Sequence, residues 1–516
     1  MNSTALARPD AKSTANSKTA PYTLKHYFTA AKLTSIPDWA EQIVMPSVSY
    51  LHQVGDLNHL ALYSRSGLYS DPGVGKTRSM QAYGLWLAAQ QNKTVYLMPP
   101  ILIPQFMASL HATFPGYAEF VSSYALQETP VKREQLIRAW QDTAWPQLLV
   151  MSYRMFVGYR QTLTEVGYNA VIVDEATAIK SPTSQIHQAV LAFAGDPGPN
   201  SNGVVLATGT PLENAVMDCY GFIALLEPSR YGSQKAFERW HVVLAPQSVS
   251  KYPIITGYKN LDYLHRALFN RGRRITKAQA LDLPDKVIHE IPIRLSVGHM
   301  KLYRTLIERG LAELNGERLD MTEQAALRMA LQQALINPEQ YTDRPPKNHV
   351  TEALAETINA LQGRKVIVFC WFQHSIEKLR AEYRHLYPAV LYGKTTTYQR
   401  DTEKQRFIQD PECQLLIANF KSAGLGIDGL QTVCSHIVFA EVCPIPGLFQ
   451  QAIDRLHRVG QQQKVTIYLL VPLNTVAVNL RNALLMKDYQ QEAVIKDKRA
   501  VLQDLIGGEG LRGRFD

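Results

Sequence analysis

Cysteine is scarce in this chain, and the cysteines that are present form no cluster. The 516 residues include 5 cysteines, none of them in a Cys-x-x-Cys pair or beside histidines at the spacing of a zinc site. We therefore expect neither a structural zinc site nor a disulfide framework. The odd number and apolar neighbours of the cysteines indicate buried free thiols in a reducing compartment.

Long apolar runs and long blocks of one charge are also missing. No run is long enough to span a membrane, and the first residues lack the apolar core of a secretory signal. We expect a cytoplasmic protein that is not secreted and binds no membrane. Charged residues make up 19% of the chain, so most of it should fold. The net charge of +9 fits a polyanionic partner, although many soluble enzymes are mildly basic.

The length and the hydrophobic pattern together predict several domains. A chain of 516 residues with 46% hydrophobic content exceeds what one core usually holds, so two or three domains are expected. We predict a flexible N-terminal tail over 1–35 and an α/β unit over 36–225. Helical protrusions and a basic linker follow over 226–350, then a second α/β unit over 351–480 and a helical brace over 481–516.

Short apolar runs in both α/β units end in polar or turn motifs, which is typical of buried parallel strands. Ligands bind at the carboxyl ends of such strands, where these motifs fall. The runs are Thr94–Met98, Gln147–Met151, Val171–Val173 and Val204–Leu206 in the first unit, and Val366–Phe369, Gln414–Ile417, His436–Phe439 and Thr466–Val471 in the second.

The segment that reads Ser-Asp-Pro-Gly-Val-Gly-Lys-Thr has the features of a phosphate-binding loop. It lies between an apolar run and a helical pattern, where glycines let backbone amides approach phosphates and a helix N-terminus adds positive potential. Lys76 would reach the β- and γ-phosphates, and Thr77 would ligate Mg²⁺. A plain Gly-rich turn is the alternative. We predict ATP binding by Ser70, Asp71, Pro72, Gly73, Val74, Gly75, Lys76, Thr77 and Arg78.

An acidic pair, Asp174 and Glu175, follows an apolar run further along the chain. A carboxylate at the end of a strand can hold Mg²⁺, and the adjacent glutamate can orient and deprotonate the attacking water. Such a pair on its own is usually a solvated turn. After a phosphate-binding loop, we predict that Asp174 is a metal ligand and that both residues are catalytic.

Two arginines late in the chain, Arg455 and Arg458, are expected to share one face of a helix because they are three residues apart. A guanidinium on the γ-phosphate accelerates phosphoryl transfer by orders of magnitude. A solvated basic face is the alternative. We predict that both arginines are catalytic, with Arg458 as the arginine finger, so that hydrolysis requires two lobes to close.

Taken in order, these motifs resemble those of Swi/Snf-type ATPases of helicase superfamily II, which are DEAD/DEAH-like. The stretch Asp174–Ser181 resembles their DEAH box, and Gln451–Gln461 resembles their last motif, Gln-Ala-x-x-Arg-x-x-Arg-x-Gly-Gln, which is specific to the family. Other similar segments are Tyr50–Gln53, Ala207–Asn214, Tyr231–Phe237, Arg271–Lys277, Val366–Phe372, Tyr392–Gly393 with Arg400, and Ala423–Asp428.

The resemblance implies an α/β fold of two tandem RecA-like parallel-sheet lobes with helical insertions between them. It implies that Gln53, Gly426 and Asp428 help to bind ATP, and that Thr208, Thr210 and Gln451 couple hydrolysis to the lobe interface. It also implies nucleic-acid contacts from loops at strand ends and from a basic cluster, for which a solvated loop is the alternative. The loop residues are Pro100, Ser152, Tyr153, Lys180, Ser181, Phe372, Gln373, Lys421 and Ser422, and the basic cluster is Arg271, Arg273, Arg274 and Lys277.

The chain departs from the family pattern at a few positions. Thr177 stands where the box usually has His, Asp428 replaces a frequent Asn, and Pro444-Ile445-Pro446 stands where Trp-Asn-Pro is common. The form of the phosphate loop and the compact length look more like bacterial or phage members than chromatin remodellers. We therefore expect a nucleoid-associated protein of a bacterial or phage-infected cell.

The function implied by the resemblance is a monomeric motor that uses ATP and Mg²⁺ to track along double-stranded DNA without extensive strand separation. Two alternatives stay open. One is a helicase that separates strands of DNA or RNA, and the other is a nucleotide-gated nucleic-acid-binding switch with incidental turnover. Lys76, Glu175 and Arg458 together favour an enzyme, since a switch needs no base and finger.

Overall fold

Short strands alternate with helices in the computed structural model, which describes residues 21–482 and 484 apart from 35, 37, 46, 117–120, 124–128, 142–146, 197, 199–200, 210, 213–215, 245–254, 313–320, 421–428 and 483. The strands are β1 Arg65–Leu68, β2 Lys93–Met98, β3 Val121–Ser123, β4 Leu148–Ser152, β5 Tyr168–Val173, β6 Gly203–Ala207, β7 Val242–Leu244, β8 Ile255–Tyr258, β9 Gly272–Arg273, β10 Lys286–Ile293, β11 Val366–Cys370, β12 Ala389–Leu391, β13 Leu415–Asn419, β14 His436–Phe439 and β15 Val465–Pro472.

The helices are α1 Leu24–Ala30, α2 Leu51–Leu62, α3 Lys76–Ala89, α4 Ile103–Thr113, α5 Pro130–Arg138, α6 Tyr153–Glu165, α7 Gln185–Ala194, α8 Asp218–Leu226, α9 Gln234–His241, α10 Leu261–Phe269, α11 Lys277–Ala280, α12 Val297–Ala312, α13 Met321–Gln333, α14 His349–Ala360, α15 Gln373–Glu382, α16 Thr397–Gln409 and α17 Pro446–Asp454. Short 3₁₀ turns lie between several of them. Within the described ranges, no helix has both the length and the apolar character needed to cross a bilayer.

Two parallel sheets organise these elements. Seven strands form the first in the order β3-β4-β2-β5-β6-β1-β9, and six form the second in the order β10-β15-β14-β11-β13-β12. We call each sheet with its helices the first lobe and the second lobe. Parallel strands require helical crossovers that cover both faces of a sheet. The predicted α/β fold of two tandem RecA-like lobes is confirmed.

The inner strands of each sheet are buried on both faces and carry few polar side chains. In β2, Val95 and Leu97 pack into the apolar cluster on one face, whereas Tyr96 and Met98 pack into the cluster on the other. The strands of the second sheet alternate in the same way. All five cysteines are buried free thiols, as their apolar neighbours indicate.

The start of the described chain is packed against the first lobe. Helix α1 lies inside the stretch 1–35 that we predicted to be a flexible tail, and its Leu24, Tyr27 and Phe28 are fully buried. The Tyr27 hydroxyl donates a hydrogen bond to the Gln53 carbonyl, 3.1 Å away. The tail prediction is therefore wrong for this helix, because two large aromatic side chains bury enough surface to order it. Residues 1–20 lie outside the described residues.

The stretch 226–350, predicted to be helical protrusions and a basic linker, also contributes strands to both sheets. Strand β9 pairs with β1 at the edge of the first sheet, and β10 pairs with β15 along eight residue positions at the edge of the second. The chain therefore passes from the first lobe to the second between Arg273 and Lys286. We call residues 274–285 the crossover.

Candidate active site

The phosphate-binding loop follows β1 and leads directly into α3. Gly73 and Gly75 have φ angles of 82° and 93°, in the left-handed region that favours glycine. A Cβ on Gly75 would lie 2.5 Å from the Gln53 amide nitrogen, so a side chain there would displace the Gln53 amide. The Lys76 ammonium donates hydrogen bonds to the carbonyls of Ser70 (2.6 Å) and Asp71 (3.0 Å). Burial lowers the pKa of Lys76, and the charges of Glu175 and Asp174 oppose that shift.

Helix α2 lies against this loop and places Gln53, which we predicted to help bind ATP, beside it. The Gln53 side chain accepts a hydrogen bond from the Tyr50 amide (3.1 Å) and donates one to the Gly75 carbonyl (3.3 Å). His52 Nε2 lies 2.8 Å from the Val74 carbonyl. Two consecutive residues of α2 therefore tie the helix to the loop.

The acidic pair stands at the carboxyl end of β5, held by two tyrosines. Tyr96 donates a hydrogen bond to Asp174 Oδ2 (3.1 Å), and Tyr153 donates to the backbone carbonyl of Asp174 and, at 3.4 Å, to that of Glu175. Glu175 has a φ of 49°, an unusual conformation for a residue with a side chain. Burial, and then the nearby Glu175 charge, raise the pKa of Asp174 to about 7.

The two arginines lie just beyond α17 rather than on it. We predicted a shared helical face, but α17 ends at Asp454 and the chain turns through Arg455 to Gly460, which has a φ of 93°. Gln461 stabilises this turn, since its amide donates to the carbonyls of Cys434 (2.9 Å) and Leu456 (3.3 Å). We call residues 454–461 the arginine turn. Arg455 and Arg458 nevertheless both face the first lobe.

One cavity of about 450 Å³ brings these parts together. It is lined by Tyr50, Gln53, Pro72, Gly73, Val74, Gly75, Lys76, Thr77, Arg78, Met98, Leu102, Gln105, Phe106, Ser109, Asp174, Glu175 and Gly209 from the first lobe, and by Gln451, Asp454, Arg455, Arg458 and Val459 from the second. The lobes approach closely here, since a Cβ on Gly73 would lie 3.0 Å from Arg458 Cβ. Ser70 and Asp71 lie at the base of the loop, where they accept hydrogen bonds from Lys76.

Thr208 and Gly209, at the start of the family-like segment Ala207–Asn214, also lie against the loop. Thr208 is buried, and its amide donates to the Leu68 carbonyl at 3.1 Å. A Cβ on Gly209 would lie 2.5 Å from Pro72 Cγ. Thr210, Gly426, Asp428, Lys421 and Ser422 lie outside the described residues.

The basic cluster makes ion pairs within the protein, which differs from the nucleic-acid contacts we predicted. Arg271 lies 3.3 Å from Glu227, Arg273 lies 2.9 Å from Asp56, and Arg274 lies 2.9 Å from Asp71. Lys277 pairs with Asp454 of the arginine turn and is only 9% exposed, so it offers no surface to a nucleic acid in this conformation. Acidic partners far away in sequence account for the difference.

The other predicted nucleic-acid residues follow the carboxyl ends of strands in the two sheets. Pro100 and Gln373 are exposed, whereas Ser152 is buried and caps α6 through Met155. Lys180 pairs with Asp218 at 3.6 Å, and the Ser181 hydroxyl lies 3.2 Å from that of Thr183. The Phe372 amide donates to a buried carboxylate, Glu441, at 3.0 Å. Tyr153 lies under the acidic pair, as described above.

Several contacts that hold the site in place were not predicted from the sequence. Tyr96 and His52 looked like ordinary strand and helix residues, because their partners lie many positions away. Lys277 and Asp454 form a buried ion pair that only the fold brings together. A buried polar side chain needs a partner, but the sequence does not show which positions are buried.

Comparisons with known proteins agree with these features. The SNF2-related domain matches residues 52–342, more than half of the chain, and the helicase conserved C-terminal domain matches residues 349–460. An uncharacterized ATP-dependent helicase of Mycoplasma genitalium is 24% identical over 446 residues, which cover 85% of this chain and 40% of that protein. The human DNA annealing helicase and endonuclease ZRANB3 is 25% identical over 421 residues, covering 78% of this chain and 36% of that protein.

Among solved structures, this chain is similar to the SWI2/SNF2 ATPase core of Sulfolobus solfataricus in complex with dsDNA. The two chains are 18% identical, with a TM-score of 0.39, and the match covers 90% of this chain and 94% of that one. The chain spans less than half the length of the two curated relatives named above. The domain matches, taken with the two parallel-sheet lobes and the cavity between them, show that this chain belongs to the SNF2-related family of superfamily II helicases.

Proposed function

We propose that the chain is an ATP-dependent translocase that moves along double-stranded DNA. The observation that carries the proposal is the cavity between the lobes, where Lys76 and Glu175 face Arg455 and Arg458. Phosphoryl transfer needs positioning and positive charge around the γ-phosphate rather than covalent chemistry. Residues from both lobes supply those charges, so hydrolysis would depend on lobe closure.

The residues of the cavity fit ATP with Mg²⁺. Thr77 and Asp174 offer a hydroxyl and a carboxylate, the oxygen ligands that Mg²⁺ prefers. Burial, and then the charge of the adjacent Glu175, raise the pKa of Asp174, and a bound divalent cation would favour its charged form. Mg²⁺ held by these residues would neutralise charge on the phosphates.

Each remaining residue has a proposed task in the reaction. Lys76 would exchange its bonds to the Ser70 and Asp71 carbonyls for phosphate oxygens, Gln53 would contact the adenine, and Glu175 would orient the attacking water. Arg458, whose Cβ approaches Gly73 most closely, would stabilise the charge of the transition state. Arg455 would contact the phosphates from the same turn, and Gln451 would sense closure of the cleft.

DNA would lie across the carboxyl ends of both sheets. Pro100 and Gln373 lie there on the surface, and small polar groups and single cations at strand ends suit phosphate contacts that carry no sequence information. The name of the human relative includes DNA, which supports DNA over RNA. We propose a monomer, which light scattering during ATP turnover would check.

The decisive experiment is an ATPase titration with duplex DNA, forked DNA, single strands and RNA, with Glu175→Gln as the inactive control. We expect duplex DNA to stimulate turnover most, and Glu175→Gln to bind ATP without hydrolysing it. Triplex displacement assayed beside strand displacement separates translocation from unwinding. Turnover that stays at background with every ligand would refute the motor. Efficient unwinding without triplex displacement would indicate a strand-separating helicase instead.

A further inference from the structure

The crossover is bonded to the phosphate-binding loop along its first residues. The amides of Tyr69 and Asp71 donate to the carbonyls of Arg273 (2.8 Å) and Ile275 (3.0 Å). The amides of Ile275 and Lys277 donate in return to Ser70 Oγ (3.1 Å) and Asp71 Oδ2 (3.0 Å). The strand pairing of β1 with β9 therefore continues beside the loop, and the two segments move together.

The side chain of Lys277 extends from the crossover to the arginine turn. Its ammonium pairs with Asp454 and donates to the His457 carbonyl at 2.6 Å. Asp454 is 4% exposed and also accepts a hydrogen bond from Gln450 (2.8 Å). His457 Nε2 lies 3.0 Å from the Pro284 carbonyl, near the end of the crossover.

These contacts hold the residue that precedes each of the two arginines. Asp454 precedes Arg455, and His457 precedes Arg458, so fixing Asp454 and the His457 backbone fixes the start of both side chains. A capping box between Thr276 and Gln279 defines the backbone at Lys277. A lysine with a defined backbone and a buried anionic partner has little freedom to move independently.

We propose that Lys277 is a positioning residue that couples the phosphate-binding loop to the arginine turn. The proposal rests on the proposed function and deepens it. The Asp71 carbonyl accepts a hydrogen bond from Lys76, and the Asp71 carboxylate accepts one from the Lys277 amide. A shift of Lys76 towards phosphate therefore changes the bonding of Asp71, and the Lys277 ammonium transmits that change to Asp454 and His457.

A positioning role accounts for the burial of a lysine at the point where the chain passes between the lobes. Burial lowers the pKa of Lys277, and the charge of Asp454 and its hydrogen bond oppose that shift. A buried ion pair contributes little net stability compared with an apolar pair, and its better attested role is to specify one geometry. The geometry specified here is the position of the arginine turn against the loop.

The test compares Lys277→Met and Asp454→Asn with a matched control, Lys93→Met. The Lys93 ammonium also donates to two carbonyls, those of Trp140 (2.7 Å) and Val166 (3.2 Å), but both lie within the first lobe. ATP hydrolysis is measured with saturating duplex DNA. Lobe closure is measured by energy transfer between dyes on Val131→Cys and Tyr398→Cys. These positions are 69% and 81% exposed, one on each lobe, and the native cysteines are buried.

We expect Lys277→Met and Asp454→Asn each to lower kcat about 10-fold or more, with KM for ATP within about 2-fold of wild type. The double variant should be no worse than either single one, because the two residues act as a pair. The ATP-dependent change in energy transfer should be lost in both variants and kept in Lys93→Met.

The proposal would be overturned if both variants kept the wild-type kcat, with or without a raised KM for ATP or weakened DNA binding. It would also be overturned if the variants kept the ATP-dependent change in energy transfer. If Lys277→Met does not fold, Asp454→Asn alone decides, since it keeps the size of the side chain. Failure of wild-type protein to hydrolyse ATP with any nucleic acid would refute the proposed function itself, and this result is distinguishable from loss in the variants alone.

Discussion

Replacing Gly73 by Ala tests whether the two lobes approach in the active state as closely as they do here. Gly73 has a φ of 82°, and an added Cβ would lie 3.0 Å from Arg458 Cβ and 3.8 Å from its Cα. These are inflexible atoms next to the backbone. The arginine turn must therefore move by a few tenths of an ångström, or the cleft must open.

Two effects of the substitution can be separated by a matched glycine. Gly167 has a φ of 93° and no atom within 4 Å of its added Cβ, so Gly167→Ala carries the backbone strain alone. That strain should cost each variant about 1 kcal/mol of unfolding free energy. A misplacement of about 1 Å in a catalytic geometry can cost about 100-fold in rate. A shift of the arginine turn by a few tenths of an ångström should therefore lower kcat by about 3- to 10-fold, and only in Gly73→Ala.

The assay is steady-state ATP hydrolysis with saturating duplex DNA, beside urea unfolding of both variants. We expect similar losses of unfolding free energy and a lower kcat in Gly73→Ala alone. Equal kcat values for the two variants would refute the reasoning, since Arg458 would then not approach Gly73 during turnover. Loss of ATP binding in Gly73→Ala would also count against it, because the predicted effect lies in the reaction step.

Three further predictions concern single side chains. Arg458→Ala should lower kcat by about 1,000-fold or more at nearly unchanged ATP affinity, which single-turnover hydrolysis measures. Arg138 lies on α5 in an exposed ion-pair network, so Arg138→Ala should leave kcat unchanged. Tyr153→Phe removes a hydroxyl that bonds the backbone at Glu175, so we expect kcat about 10-fold lower with ATP affinity kept. Burial raises the pKa of Glu441 to about 7 from its ordinary value of 4.5. Between these two pH values, the Glu441 carboxyl is protonated in the folded protein and ionised in the unfolded chain. Unfolding free energy should fall as pH rises from about 4.5 to above 7, by up to about 3 kcal/mol. The unfolding free energy, measured by urea unfolding at several pH values in that range, should depend less steeply on pH in Glu441→Gln than in wild type. An equally steep dependence on pH in Glu441→Gln would contradict the prediction.

Much of the fold was predictable because the strands are buried on both faces. Such strands appear as uninterrupted apolar runs, and the predicted run Thr94–Met98 agrees with β2 to within one residue. The edge strands β9 and β10 escaped prediction. β9 has two residues, and β10 is mostly exposed, with Lys286, His289 and Glu290 interrupting its apolar residues.

The site residues with local signatures were predictable, and those that depend on distant partners were not. Glycines with positive φ and a lysine at the start of a helix form a recognisable phosphate loop within eight residues. The basic cluster looked like a nucleic-acid surface, because its acidic partners at Asp56, Glu227 and Asp454 are remote in sequence. Charge density alone does not distinguish an internal ion pair from a binding face.

The arginine turn is stabilised mainly by its own lobe, and this determines what opening of the cleft can change. Gln461 bonds the carbonyls of Cys434 and Leu456, and Gln431 donates to the Val459 carbonyl at 3.2 Å. These bonds lie within the second lobe and would survive separation of the lobes. The contacts of Lys277 join that lobe to the crossover. Opening would then carry both arginines away as a preformed unit, and closing would restore their geometry without refolding the turn. A motor that opens and closes in every cycle needs this property, because rebuilding a loop on each stroke would add a conformational search to every turnover.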